Sequence, residues 1–147
     1  MPPVERIVSH GETKSTVYLK RHLQVDCRVV PPEAYGAALQ YFTGSQQHNI
    51  RVRERAASMG FRLSEYGLFD AENRQVAGAS ESEVYAALGL DWIPPELRED
   101  LGEVALAAEH ALPQLVELPD IRGDLQMHSE WSDGANTIGQ MAEAAAA

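Results

Sequence analysis

The chain has 147 residues, a single cysteine and a formal net charge of −10 at pH 7. That length accommodates one ordinary domain, or a small domain with a piece of another, and a chain of this size buries about two thirds of its unfolded surface. The lone Cys27 excludes a disulfide framework and suits a reducing, cytoplasmic compartment; neither a secretory h-region nor a run of about 18 apolar residues marks export or a membrane span.

The average charge hides an asymmetry. Residues 1–62 carry nine Lys or Arg against five Asp or Glu, whereas residues 63–147 carry three against seventeen. This division predicts an N-terminal part that meets an anion and a solvated acidic surface beyond it. Chance clustering is the plainer alternative.

In chain order, "RIVSHGETKSTVYL" predicts two strands around a turn at His10-Gly11-Glu12. "LQVDCRVV" alternates, placing Val25, Cys27 and Val29 on one face and Gln24, Asp26 and Arg28 on the other. Pro31-Pro32 ends that strand and opens a short helix, "EAYGAALQYF", stopped by Thr43-Gly44. Ser45 is the expected N-cap of a second helix, "QQHNIRVRERAASM", with Gly60 as its stop. On that helix Gln46, Asn49 and Arg53 form a polar stripe beside an apolar stripe of Val52, Ala56 and Met59.

"FRLSEYGLF" reads as a strand, "DAEN" as a turn and "RQVA" as a returning strand. Ser80 and Glu83 predict a capping box for "ESEVYAAL", closed by Gly89. "DWIPPELRE" is expected to be extended, because Pro94-Pro95 bar helix, and residues 100–118 read as an acidic helical connector broken by Pro113. "IRGDLQMHS" then predicts a strand, "EWSDG" a turn and "NTIGQMAEAAAA" a helix. A strand and one helix cannot bury their own faces, so this stretch reads as the opening βα unit of an incomplete domain. The expected fold class is α+β.

Two stretches suggest chemistry. Asp26 shares a strand face with Arg28, an arrangement that suits either a surface ion pair or an ion-binding carboxylate held by a neighbouring cation. One aspartate alone makes no metal site. "YFTGSQQHN" sets two aromatic rings beside a glycine turn and a helix N-terminus, which suits a nucleotide or, equally, an ordinary packed corner.

In combination, "LQVDCRVVPPEAYGAALQYFTGSQQHN" with "RVRERAASMGFRLSEYGLF" resembles the family X DNA polymerases, the group containing polymerase beta, and most of all the bacterial members with a C-terminal PHP phosphoesterase domain. The resemblance implies four parts: late palm over 1–45, thumb over 46–99, a connector over 100–118 and the beginning of a PHP domain over 119–147. It implies that Asp26 is the palm carboxylate nearest the primer 3′-hydroxyl, holding a catalytic Mg2+. Arg28 would support it and pair with Glu65 or Tyr66 as the thumb moves. Tyr41, Phe42 and Gly44 would lie against the sugar and base of the incoming deoxynucleoside triphosphate. Asn49 would meet the minor-groove edge of the new base pair, and Arg53 the template strand of primer-template or gapped DNA. His128 and Asp133 would be PHP ligands for Mn2+ or Zn2+.

Departures accompany the resemblance. No Asp-x-Asp precedes Asp26, position 50 is Ile50 where relatives place a lysine, and Gln126 stands where the PHP pattern has its first histidine. The function implied is DNA-repair gap filling by nucleotidyl transfer, with this stretch inactive in isolation. A PHP-type metal phosphoesterase or 3′-exonuclease and a non-catalytic scaffold are the alternatives.

Overall fold

The computed structural model describes residues 4–147. Three strands, β1 (Val4–His10), β2 (Lys14–Leu19) and β3 (Leu23–Arg28), form an antiparallel sheet in that order. The first turn closes with the Gly11 amide donating to the Lys14 carbonyl at 2.9 Å. In the β2–β3 register Lys14 faces Arg28, Thr16 faces Asp26 and Tyr18 faces Gln24, so these side chains share one face. Thr16 is buried, while every residue of β1 and β3 is exposed.

After a 3-10 turn at Pro32–Ala34 come α1 (Tyr35–Thr43) and α2 (Gln46–Ser58). No side chain caps α1. Its first amides are satisfied by backbone instead, Gly36 donating to the Ala79 carbonyl and Ala37 to the Gly78 carbonyl, at 3.1 and 2.9 Å. Ser45 caps α2 by accepting from the His48 amide, and Gly60 follows its end with φ of 80°, both as the sequence predicts.

"FRLSEYGLF" is not one strand. It folds into a hairpin of β4 (Arg62–Ser64) and β5 (Gly67–Phe69), with Glu65-Tyr66 at the turn and β6 (Gln75–Ala77) as the third strand. Gly67, at φ of 138°, reverses the chain where no strand can continue. Ser80 then caps α3 (Glu81–Ala87) through the Glu83 amide, making one half of the expected capping box. "DWIPPELRE" holds a 3-10 turn at Pro95–Leu97, since proline is tolerated in a first turn although it bars a longer helix. Within 100–118 only α4 (Glu103–Ala108) is helical; His110, at φ of 55°, and Pro113 stop it.

The core joins α2, the second sheet, α3 and α4 through Val52, Ala56, Leu68, Val84, Leu88 and Ile93, all fully buried. Ala107 of α4 is in that core, so part of the expected connector packs against the neighbouring elements. The chain divides into two compact units, Met1–Leu112 and Pro113–Ala147.

In the second unit residues 121–129 form no strand, contrary to expectation, because an isolated strand has nothing to pair its N–H and C=O groups. A turn around Ser129–Gly134 follows, then α5 (Ile138–Ala146), whose Thr137 and Gln140 make a complete capping box. The α+β class holds, with two small antiparallel sheets and five α-helices among the described residues.

Candidate functional site

The sequence-predicted residues Tyr41, Phe42, Gly44, Asn49 and Arg53, with Gln46, line one open pocket of about 370 Å³ at the α1–α2 corner. α1 brings the two rings, which meet edge to face with centroids 5.0 Å apart. Gly44 makes the corner at φ of 76°, and the Gly44–Ser45 peptide is cis. α2 starts there, so Gln46, Asn49 and Arg53 project from its first turns onto the same side. Arg53 is exposed, its Nε donating to the Asn49 carbonyl at 3.3 Å.

Asn49 is nearly buried. Its Nδ2 donates to the Tyr41 carbonyl at 2.7 Å and its Oδ1 accepts from Gln40 Nε2 at 2.6 Å. The side chain that lines the pocket is therefore held at both polar atoms.

Arg28 lies over the face of Phe42, its guanidinium carbon 4.8 Å from the ring centroid. That contact ties the polar face of the first sheet to the pocket. Arg28 makes no ion pair with Asp26, Glu65 or Tyr66 among the described residues. The Asp26 carboxylate is held instead by the Thr16 hydroxyl, by Gln24 Nε2 at 3.1 Å and by Lys14 Nζ at 3.7 Å. The Thr16 and Gln24 hydrogen bonds, then the Lys14 charge, keep its pKa below the ordinary value, so it is anionic and 41% exposed. Glu65 is half-buried and Tyr66 exposed at the β4–β5 turn.

Behind the pocket lies a polar interior that sequence reasoning missed. His48, fully buried, bonds through Nδ1 to Glu103 at 2.7 Å and through Nε2 to the Tyr85 hydroxyl at 2.8 Å. Burial, outweighing Glu103, lowers the His48 pKa, and burial pushes the Tyr85 hydroxyl well up. Arg98, 1% exposed, donates to Glu81 at 2.7 Å and to the Ile93 carbonyl at 2.9 Å, while its own carbonyl accepts from the Ser45 amide at 3.1 Å. One signal was available: Gln40 stands three residues after Ala37 on the buried face of α1, a polar residue in a core position.

Residues 38–99 match the DNA polymerase beta thumb family. The DNA polymerase/3′-5′ exonuclease PolX of Bacillus subtilis is 43% identical over 98% of the chain. Over nearly all of its length the chain is thus similar to a family X DNA polymerase. It covers 25% of the length of that B. subtilis relative. DNA polymerase lambda of Rattus norvegicus is 34% identical over 54% of the chain, which covers 16% of that protein. Leishmania infantum polymerase beta, solved as a ternary P/T complex, superposes with a TM-score of 0.57 at 25% identity, over 65% of this chain and 47% of that one. The α1–α2 pocket thus lies on the segment that matches the thumb.

In the second unit, His128 Nδ1 pairs with the Asp133 carboxylate, and both side chains are exposed. No group of three or more His, Cys, Asp or Glu that could hold a metal occurs among the described residues. No helix among them is long and apolar enough to cross a membrane.

Proposed function

We propose that the chain supplies the late palm (1–45), thumb (46–99), connector (100–118) and PHP opening (119–147) of a cytoplasmic, DNA-directed DNA polymerase that fills short gaps. The observation that carries this reading is the convergence of Tyr41, Phe42, Gly44, Asn49 and Arg53 on one pocket at the start of α2. Two rings offer flat apolar faces for a base and sugar. Asn49 offers a polar atom to the minor-groove edge, where acceptors recur in every base pair and recognition is nearly sequence-independent. Arg53 is an exposed cation one helical turn along, suited to the template backbone. Such an active site works by holding reactants in line.

The family's polymerase reaction implies a divalent ion, Mg2+ in this reading. The residues present fit a share of such a site: Asp26 supplies one anionic, half-exposed carboxylate already oriented by Thr16 and Gln24. The ion would supply charge neutralisation at the reacting phosphate. Asp26 would hold it and accept the primer hydroxyl's proton.

Single-nucleotide gap filling by the full-length protein tests the reading. Asn49→Ala and Arg53→Ala are expected to lower kcat/KM for correct incorporation by about tenfold or more, the loss of one good polar contact; the melting temperature should stay unchanged in Arg53→Ala and fall in Asn49→Ala, which strands the Gln40 donor and the Tyr41 carbonyl. Wild-type kinetics in both variants would overturn it.

A second reading, a 3′-exonuclease activity in the PHP part, draws on the His128–Asp133 pair and on the name of the B. subtilis relative, DNA polymerase/3′-5′ exonuclease. Gln126 stands where an imidazole is expected, and glutamine is a poor ligand for a transition metal, so the pair alone does not fit a complete Mn2+ or Zn2+ centre. Nuclease assays with manganese, comparing His128→Ala with wild type, separate the two activities.

A further inference from the structure

We propose that Gln40 is a positioning residue that fixes the Asn49 carboxamide so that it offers the pocket a hydrogen-bond donor; this rests on the polymerase reading above.

The Asn49 carboxamide can present either an N–H or a carbonyl oxygen, and its partners decide which. The Tyr41 carbonyl can only accept, so the atom 2.7 Å from it must be Nδ2. Oδ1 is thereby turned to Gln40, whose Nε2 donates across 2.6 Å. One Nδ2 hydrogen remains free, on a residue that is 8% exposed and lines the pocket. A ligand atom meeting that edge must be an acceptor, and purine N3 and pyrimidine O2 are the acceptors common to all base pairs.

Gln40 is itself well placed to hold this direction. It is 2% exposed and comes from α1, whereas Asn49 comes from α2, so it couples the two helices that form the corner. Flipping Asn49 would set N–H against N–H and oxygen against the Tyr41 oxygen. Without the Gln40 donor, only the Tyr41 contact opposes the flip.

The test is the ratio of kcat/KM for dATP to that for 3-deaza-dATP, which lacks the N3 acceptor, in gap filling by the full-length enzyme. A ratio taken within one preparation is independent of the fraction folded. Wild type is expected to prefer dATP by about tenfold, the value of one hydrogen bond. Gln40→Met, which keeps the chain length without polar atoms, is expected to reduce the preference to about twofold or less. Asn49→Ala should abolish it. If wild type and Gln40→Met show the same preference while Asn49→Ala loses it, the role of Gln40 is overturned and the polymerase reading stands. If an active wild type shows no preference, the minor-groove placement of Asn49 fails and the inference falls with it.

Discussion

Arg98 and Glu81 form an ion pair at 2.7 Å, with side chains 1% and 10% exposed, beneath the N-cap of the helix that builds the pocket. Trp92 Nε1 donates to the second Glu81 oxygen at 3.0 Å, and the Arg98 guanidinium lies 5.4 Å from the Tyr85 ring centroid. Such a pair stabilises little in net terms, because desolvation offsets attraction, but breaking it strands a buried charge. Glu81→Ala is therefore expected to destabilise the chain by about 3 kcal/mol. The double change Glu81→Leu with Arg98→Met should lose much less. Urea denaturation measures both, and a loss that is simply the sum of the single variants would contradict the pairing.

His48 predicts the pH dependence. Its pKa is lowered from 6.5, mainly by burial, so the folded state favours the neutral ring. As pH falls through 6.5 the unfolded chain takes up the proton first, and stability is lost until the folded ring also titrates. Burial raises the Glu103 pKa, but His48 and the backbone amides around Asp100 and Leu101 together hold it below its ordinary 4.5. A second loss therefore begins only below that value. His48→Gln should remove the first phase and keep the second in denaturation curves from pH 7.5 to 4. A variant that still loses stability between pH 6.5 and 5 would place the first phase elsewhere.

The local signals in the sequence proved sound where a residue acts on its own backbone neighbours. Ser45 and Ser80 cap their helices, and Gly44, Gly60 and Gly89 take positive φ where the chain must turn. Gln46, Asn49 and Arg53 were legible as one stripe because 3.6-residue periodicity fixes which α2 side chains share a face, and the pair Tyr41-Phe42 stood out by its place before the Gly44 turn. Other features depend on partners far along the chain. His48, Arg98 and Glu103 look like ordinary surface residues until Tyr85 and Glu81 are brought to them. Residues 121–129 failed for the converse reason: an extended pattern makes a strand only beside another strand, and the described residues of that unit supply none. The four-part division of the chain is a separate matter, resting on resemblance.

Close packing at Gly36 gives a sharper prediction. A Cβ there would sit 2.1 Å from the Ser80 carbonyl carbon, with backbone rather than a movable side chain in the way. The contact exists because the α1 amides use the Gly78 and Ala79 carbonyls as their cap. Gly36→Ala should therefore destabilise by about 2 kcal/mol or more through overpacking, despite the better helix propensity of alanine. Thermal melting checks it; a raised melting temperature would mean that α1 does not approach Ser80 this closely.

Thr16 offers a way to alter the Asp26 carboxylate without touching the pocket. The Thr16 hydroxyl is the leading cause of the lowered Asp26 pKa, ahead of Gln24 and the Lys14 charge. Thr16→Val keeps the shape of this buried side chain and removes the donor, leaving one carboxylate oxygen with only Lys14 nearby. The Asp26 pKa should then rise toward 3.8, with a smaller rise in Lys14→Ala, as carbon-13 titration of the carboxyl would read. Under the proposed role, a less strongly held carboxylate binds its ion more weakly and competes less well with protons. The acidic limb of the full-length enzyme's pH–rate profile should shift to higher pH in Thr16→Val, and the Mg2+ concentration for half-maximal rate should rise with it. A moved pKa with both kinetic readouts unchanged would separate Asp26 from the reaction.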